Sequence, residues 1–229
     1  IGMGDSDKLT DNGNNTYSYH IQKQYFDKCL EELEIKENIT FVIHDWGSAL
    51  GFNWAYEHQE SVKGICYMEA IVKKISWEDW PKDAKSIFQG FRSDAGEDLI
   101  LKKNLFIEGV LPNAIIRNLT ETEMDIYRKP FLKEIDRRPT LDWPRQIPIN
   151  NEPEDVCKIV DDYSSWMSIN EIPKLFINAD PGSILIGEQR EFVRTWNNLE
   201  EITVKGNHFI QEHSPNEIGK ALSEFINKL

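Results

Sequence analysis

Two short apolar runs enclose a helical pattern early in the chain. Residues 38–44 (NITFVIH) and 62–69 (VKGICYME) are continuous apolar segments, which is typical of strands buried on both faces of a parallel sheet. Between them, the apolar spacing of residues 49–58 predicts a helix. The order strand, helix, strand is a βαβ unit, so this part of the chain predicts a parallel sheet.

Residues 71–154 have a different character, since they are rich in charged and aromatic side chains and contain few β-branched runs. Residues 139–148 (PTLDWPRQIP) predict a rigid connector, because proline fixes φ and lacks an N–H donor. Further predicted elements are a loop at residues 1–15, helices at 19–33, 77–92, 96–106, 121–131, 154–167 and 215–229, and strands at 174–178 and 201–204. We therefore expect a sheet domain at residues 1–70 and 155–229, interrupted by a helical cap at residues 71–154.

Composition narrows the possible partners. The 229 residues carry a formal net charge of −13, which disfavours nucleic acid and anionic membranes as partners. No apolar run reaches the roughly 18 residues of a membrane-spanning helix. The three cysteines, Cys29, Cys66 and Cys157, show neither a CxxC motif nor the spacing of a zinc site. Reduced thiols and a cytoplasmic location are therefore expected, with no metal.

The strongest local signal is residues 43–47 (IHDWG), where the first buried strand meets the following helix. A sharp strand-to-helix turn at this place raises one side chain above the sheet as a nucleophile elbow, as in the α/β-hydrolase fold. The raised residue here is Asp45, and Gly47 lets the two backbones pass closely. The alternative is that Asp45 only caps the helix.

Distant residues supply partners for Asp45. His208 lies in a loop after the last predicted strand, which is where this fold delivers its general base. Two carboxylates could orient His208: Glu69, at the end of the second strand, and Asp180, after the strand at residues 174–178. Glu69 is favoured because a carboxylate at the end of a buried strand needs a partner, whereas Asp180 begins an Asp-Pro-Gly sequence typical of turns.

A carboxylate nucleophile suits attack at an sp3 carbon that carries a leaving group. The product is an enzyme ester, which water activated by His208 can hydrolyse. Halide and epoxide oxygen are the leaving groups that fit. Trp46 favours halide, because its indole N–H can only donate, although packing beside the elbow would also explain this side chain.

Residues 44–52 (HDWGSALGF) resemble the haloalkane dehalogenases, in the subfamily whose acid follows the strand after the nucleophile. The similarity extends over essentially the whole chain, including residues 1–8 (IGMGDSDK), 68–69 (ME), 77–81 (WEDWP), 106–112 (FIEGVLP) and 207–209 (NHF). It implies an α/β-hydrolase fold. It also implies an enzyme that converts a small apolar haloalkane and water into an alcohol, a halide ion and a proton, without metal or organic cofactor.

The resemblance also implies a role for each matching residue. Asp45 is the nucleophile, Glu69 the acid and His208 the base. Trp46 is one of two halide donors, and its peptide N–H contributes to the oxyanion hole. The aromatic side chains that fall in the segment forming the cap wall of the substrate cavity are Trp80, Phe88 and Phe91.

Family members carry a further segment before the part that matches residues 1–4. It includes several strands and a His-Gly-Asn-Pro motif, whose Asn is the second halide donor. We therefore expect this chain to lack roughly the N-terminal third of the domain, and to fold poorly by itself because a strand edge would be left unpaired.

The same stretches resemble the coelenterazine luciferases of the sea pansy type. Residues 139–144 (PTLDWP) and 180–182 (DPG) are closer to the luciferase, whereas residues 88–92 (FQGFR) and 123–125 (EMD) are closer to the dehalogenases. Ser86 stands where the luciferase has an acidic residue. Dehalogenation is therefore the expected activity.

Three other functions are weighed against dehalogenation. Oxidation of an imidazopyrazinone luciferin by O2 with light emission is the second hypothesis. Epoxide hydrolysis is third, with Tyr127 and Tyr163 as possible proton donors. An inactive binding protein is disfavoured, because three chemically matched residues occur in the required order.

Overall fold

The computed structural model describes residues 1–10, 13 and 15–229. The predicted loop at residues 1–15 includes residues 11, 12 and 14, which lie outside the described residues; its described positions form no helix or strand. The strands are β1 (Ile39–Asp45), β2 (Val62–Ala70), β3 (Lys174–Pro181) and β4 (Leu199–Gly206). The α-helices are α1 (Tyr19–Glu32), α2 (Trp46–Glu57), α3 (Lys82–Phe91), α4 (Leu111–Asn113), α5 (Glu121–Arg128), α6 (Arg138–Gln146), α7 (Glu154–Ile169), α8 (Gly187–Arg194) and α9 (Pro215–Ile226).

The four strands form one parallel sheet in the order β1-β2-β3-β4, which confirms the predicted α/β fold with a parallel sheet. β2 is paired on both sides, and every residue from Gly64 to Ala70 is buried. This explains why its sequence is a continuous apolar run rather than an alternating one. β1 forms one edge of the described sheet, where Val42 is 46% exposed.

The core beside the sheet joins β2, β3 and β4 to the last helix. Its buried members are Cys66, Met68, Leu175, Ile177, Ala179, Val204, Ile210, Ile218, Ala221 and Phe225. Three of them, Ile218, Ala221 and Phe225, recur at helical spacing along α9 and present one apolar face. Burial of this face holds α9 in place, at about 25 cal/mol per Å² of apolar surface.

Contacts divide the described chain into two compact units. The helical unit comprises residues 1–26, 75–113 and 117–156, and the sheet unit comprises residues 27–74, 114–116 and 157–229. The first 26 residues therefore cluster with the helical unit. The role of residues 71–154 as a cap stays a prediction.

The prediction of a rigid connector at residues 139–148 is wrong, because α6 runs through most of this segment. Pro139 lies in the first turn of the helix, where a backbone N–H needs no partner within the helix. Pro144 lies in the last turn. The guanidinium Nη1 of Arg92 donates to the carbonyls of Pro144 at 3.1 Å and Ile147 at 2.8 Å, which satisfies acceptors at the helix end.

Two other predicted helices of the helical unit differ from the structure. α3 begins at Lys82 rather than at residue 77, because Pro81 precedes it with an extended ψ of 122°. The helix predicted at residues 96–106 is replaced by π-helical turns at Asp98–Lys102 and Phe106–Val110, separated by Asn104 at φ 53°. Within the described residues, no helix combines the length and apolar character needed to cross a bilayer.

Candidate active site

Asp45 stands at a turn with no intervening residue between strand and helix. It ends β1, and α2 begins at Trp46. Its backbone has φ 46° and ψ −127°, a conformation that costs a residue with a side chain about 1–3 kcal/mol. The Asp45 carboxylate makes no capping hydrogen bond to the described first turn of α2. The capping explanation is therefore wrong, and the strained turn presents the side chain as a nucleophile elbow does.

The close approach of helix and strand occurs at Gly51, and the assignment of this role to Gly47 is wrong. A Cβ atom placed on Gly51 would lie 3.0 Å from Cγ2 of Ile43, whereas one on Gly47 would meet no atom within 4 Å. The bulky Ile43, two residues before the elbow, is accommodated because Gly51 has no side chain.

Ser48 fastens the elbow to the chain that follows β2. Its buried hydroxyl donates to the carbonyl of Asp45 and accepts the N–H of Ile71 at 2.9 Å. Sequence reasoning missed this residue. A serine one turn into the elbow helix is the only signal, and serine hydroxyls often bond to a carbonyl within the same turn.

Glu69 occupies a bulge at the end of β2. Its φ is 41°, and the register passes from His44 paired with Met68 to Asp45 paired with Ala70. The side chain is only 1% exposed. Its Oε2 accepts the N–H groups of Ser183 at 3.1 Å and Ile184 at 2.8 Å. These peptide donors fix the carboxylate and offset the cost of burying it.

His208 lies between the two carboxylates. Its Nδ1 is 3.3 Å from Oε2 of Glu69, and its Nε2 is 3.7 Å from Oδ1 of Asp45. A carboxylate can only accept, so Nδ1 carries the proton in the neutral ring and Nε2 presents a lone pair. The 3.7 Å separation is beyond hydrogen-bond distance, so Nε2 faces Asp45 without sharing a proton with it.

Burial alone would lower the pKa of His208, since it disfavours the charged ring. The hydrogen bond to Glu69 and the charges of Asp45 and Glu69 outweigh burial and raise the pKa above its usual 6.5. The site therefore combines a base of increased strength with a carboxylate 36% exposed.

Asp180, the alternative acid, is exposed at the end of β3. The structure gives it no contact with His208 among the described residues. The loop that follows Asp180 instead supplies the Ser183 and Ile184 N–H groups that hold Glu69. The segment after the alternative acid thus contributes backbone donors rather than a carboxylate.

The other predicted site residues are placed as follows. Trp46, the first residue of α2, is buried beside Asp45. In the helical unit, the ring centroids of Trp80 and Phe88 are 5.0 Å apart, and those of Phe88 and Phe91 are 5.5 Å apart. Phe91 is fully buried in a cluster with Ile100 and Leu141. The halide-binding and cavity-lining roles of these residues stay predictions.

A polar cavity of about 810 Å³ lies within the helical unit. Its lining includes Arg92 and Arg145, which donate to backbone carbonyls, and it includes none of the residues around His208. We assign it no part in the chemistry of that site.

The amino-acid sequence of the chain is similar to known proteins. A family model described as alpha/beta hydrolase fold matches residues 1–115. The chain is 54% identical over 230 residues to a haloalkane dehalogenase of Sphingobium indicum, covering 100% of this chain and 78% of that protein. It is 46% identical to a haloalkane dehalogenase of Mycolicibacterium smegmatis, with coverage of 100% and 74%. It is 38% identical to the coelenterazine h 2-monooxygenase of Renilla reniformis, with coverage of 100% and 73%.

The solved structures that resemble this chain are also haloalkane dehalogenases. The haloalkane dehalogenase DbeA from Bradyrhizobium elkani superposes with a TM-score of 0.92 at 34% identity, covering 100% of this chain and 78% of that chain. An ancestral haloalkane dehalogenase, AncHLD2, superposes with a TM-score of 0.93 at 34% identity, covering 100% and 79%.

Proposed function

This chain belongs to the haloalkane dehalogenase family of the α/β-hydrolase fold, and we propose that it hydrolyses the carbon–halogen bond of small haloalkanes. The products are an alcohol, a halide ion and a proton. The observation that carries the proposal is the arrangement around His208, whose Nε2 faces Asp45 at 3.7 Å and whose Nδ1 is held by Glu69 at 3.3 Å.

In the first half of the proposed reaction, a carboxylate oxygen of Asp45 attacks the carbon that carries the halogen. A C–O bond forms, the C–X bond breaks, and its electron pair leaves with the halide. No proton moves in this step, so it needs no base. A serine in place of Asp45 would form an ether, which water could not cleave under these conditions; the carboxylate forms an ester.

In the second half, water hydrolyses the ester. Nε2 of His208 takes a proton from water as the oxygen attacks the ester carbonyl carbon. The bond between that carbon and the alkyl oxygen then breaks, and the alkyl oxygen takes the proton of the added hydroxyl group, which releases the alcohol and restores the Asp45 carboxylate. The imidazolium of His208 then gives its proton to solvent. Glu69 keeps the Nδ1 proton in place and stabilises the imidazolium that forms.

We assign Trp46 to the departing halide and to the ester carbonyl. Its position as the first residue of α2 places its peptide N–H at a helix N-terminus, where negative charge is stabilised. Its indole N–H is one of the two halide donors that the resemblance to the family implies. A Trp46→Phe variant that released halide as fast as the wild type would remove this assignment.

Halide release from 1,2-dibromoethane tests the proposal directly. The complete protein is expected to release bromide with multiple turnovers, and an Asp45→Asn variant is expected to release none above background. Asp180→Asn is the matched control, since this exposed carboxylate is outside the triad. Bromide release that survives in Asp45→Asn would contradict the proposal.

Light emission is the second candidate, favoured by the 38% identity to the coelenterazine h 2-monooxygenase of Renilla reniformis. The same protein preparation incubated with coelenterazine and O2, with photons counted, separates the two activities. The higher identity to the two dehalogenases favours bromide release over light.

Epoxide hydrolysis is disfavoured by the hydrogen bond that the Tyr163 hydroxyl makes to the backbone. This side chain is fully buried, and its hydroxyl donates to the carbonyl of Ile71 at 2.6 Å. A proton donor to an epoxide oxygen has to reach the substrate, and this hydroxyl is engaged with the backbone.

The proposal extends to partner and compartment. A small apolar halogenated molecule is the partner that the chemistry requires, and the acidic surface disfavours nucleic acid. None of the three cysteines, all within the described residues, is in a disulfide, which supports the proposed cytoplasmic location.

A further inference from the structure

His44, the residue before the nucleophile, contacts the main chain of the base. Its Nε2 is 2.8 Å from the carbonyl oxygen of His208. The two imidazole rings lie 4.8 Å apart between centroids, and the His44 ring lies 5.9 Å from that of Phe209. A bond of this length to a main-chain atom constrains where the His208 backbone lies.

The contact determines which ring nitrogen of His44 carries a hydrogen. A carbonyl oxygen can only accept, so Nε2 of His44 carries the hydrogen. Burial, followed by the nearby His208, lowers the pKa of His44. The charge of Asp45, the hydrogen bond to the His208 carbonyl and the charge of Glu69 oppose this shift only in part. His44 is therefore a neutral donor, and its ring places no positive charge beside His208.

The two ends of this contact differ in rigidity. His44 lies in β1, where it pairs with Met68 of β2. His208 lies beyond the end of β4 at Gly206, in a loop without strand pairing. The next residue, Phe209, donates its N–H to the carbonyl of Ala114 at 3.3 Å. The carbonyl of His208 is thus tied to the sheet through His44, while Glu69 holds its side chain.

We propose that His44 is a positioning residue that holds His208 for hydrolysis of the ester on Asp45. The inference rests on the proposed dehalogenase function and deepens it. Only the second half of that reaction needs Nε2 of His208 within reach of both a water molecule and the ester carbonyl. Alkylation needs the Asp45 carboxylate and the halide donors. Loss of the His44 bond is therefore expected to slow hydrolysis much more than alkylation.

Three variants of the complete protein test this separation. His44→Phe keeps a planar ring and removes the donor, whereas His44→Gln keeps an N–H donor. His58→Phe is the matched control: the Nδ1 of His58 donates to the carbonyl of Trp54 at 2.9 Å, and its ring stacks on Trp54 away from the triad. Each variant is mixed rapidly with 1,2-dibromoethane, and both released bromide and the mass of the protein are followed.

In His44→Phe we expect a burst of about one bromide per protein, followed by turnover slowed about 100-fold, since a displacement near 1 Å costs about that much. The alkyl ester accumulates on Asp45. His44→Gln recovers a large part of the turnover, and His58→Phe behaves as the wild type. Equal losses in the burst and the steady state of His44→Phe, or no rescue by glutamine, would overturn the proposal.

A measurement that does not need activity completes the test. The pKa of His208 is followed by NMR of the imidazole nitrogens in all three variants. Because His44 is neutral, its replacement by Phe removes no charge, so a fall in the pKa of His208 reports that its ring has moved from the two carboxylates. An unchanged pKa in His44→Phe would contradict the positioning role. If the wild type releases no bromide, the proposed function fails, and the NMR titration still decides the role of His44.

Discussion

The ends of β1 and β2 carry the two carboxylates of the site on neighbouring parallel strands, and both residues have a positive φ of almost the same size. Asp45 has φ 46° and Glu69 has φ 41°. Their side chains nevertheless lie in opposite environments. Asp45 is 36% exposed and faces His208 at 3.7 Å, whereas Glu69 is 1% exposed and accepts two peptide N–H groups as well as the imidazole N–H.

The carboxylate group therefore serves two different purposes in this site. A nucleophile needs a carboxylate that a substrate can approach and that protein donors do not stabilise. An orienting acid needs the reverse, because a fixed and buried carboxylate holds a proton on Nδ1 and resists exchange with water. The strained φ values raise both side chains at the carboxyl edge of the sheet, and the loop after β3 then determines which carboxylate is enclosed.

The largest effect is expected on the exposed side of this comparison. Asp45→Asn removes the nucleophilic oxygen charge, so halide release should fall by about 10⁴-fold or more. Circular dichroism should be unchanged, because the Asp45 side chain makes no capping bond to the described start of α2. Steady-state bromide assays check this, and a fall of less than tenfold would mean that another residue attacks the substrate.

A smaller loss of turnover, with a change in its pH dependence, is expected when the buried carboxylate of Glu69 is removed. Glu69→Gln should lower turnover by about 10³-fold, because the amide can present the wrong group to Nδ1. In the wild type, the rate should rise with pH through a pKa above 6.5, as His208 loses its proton. Removing Glu69 leaves burial opposed only by Asp45, so the rise should move to lower pH.

The pH–rate profiles of the wild type and Glu69→Gln measure this shift. Asp180→Asn is the control, and its profile should match that of the wild type. A profile of Glu69→Gln that rises at the same pH as the wild type would mean that Glu69 does not set the pKa of His208.

The loop that encloses Glu69 is expected to be sensitive at Gly182. This residue has φ 76°, and a Cβ on it would lie 2.9 Å from the carbonyl oxygen of Ala179. Gly182→Ala should therefore cost about 1–2 kcal/mol of unfolding free energy. It should also displace the Ser183 and Ile184 N–H groups and reduce turnover by several fold.

Chemical denaturation with a matched helix variant checks this prediction. In α9, a Cβ on Gly219 would meet nothing within 4 Å, so Gly219→Ala should stabilise the protein by about 0.5–1 kcal/mol. Equal effects of the two substitutions would show that the loop is not under the constraint described.

A loss of stability of similar size is expected where Ser48 links the carbonyl of Asp45 to the N–H of Ile71. Ser48→Ala leaves the N–H of Ile71 without its acceptor in a buried position, which should cost about 1–3 kcal/mol. The hydroxyl of Ser165 donates to a carbonyl on the exposed face of α7, so Ser165→Ala should change the free energy of unfolding by less than about 0.5 kcal/mol. Thermal unfolding of both variants compares them.

Sequence patterns predicted the parallel sheet because buried strands require continuous apolar runs, and β2 shows this directly. They predicted the elbow because Asp45 lies where a buried strand meets a helix, and His208, in a loop after the last strand, favoured catalysis over helix capping. Glu69 was favoured over Asp180 on the same physical ground, the cost of burying a charge. The family resemblance added the roles of these residues.

The remaining features depend on partners that the sequence does not display. The donors that hold Glu69 are backbone N–H groups, which every residue except proline has, so the names Ser183 and Ile184 carry no signal. The bond from His44 ends on a carbonyl 164 residues away. The connector predicted at residues 139–148 is wrong because proline is tolerated in the first turn of a helix, where Pro139 lies, and composition does not distinguish such a helix from a connector.

The most direct test of the central claim is to trap the ester. A His208→Phe variant of the complete protein is incubated with 1,2-dibromoethane, digested and analysed by mass spectrometry. We predict a bromoethyl ester on the peptide that contains Asp45, with one bromide released per protein and little further turnover. Stoichiometric bromide release with an unmodified Asp45, or with the alkyl group on another residue, would contradict the account.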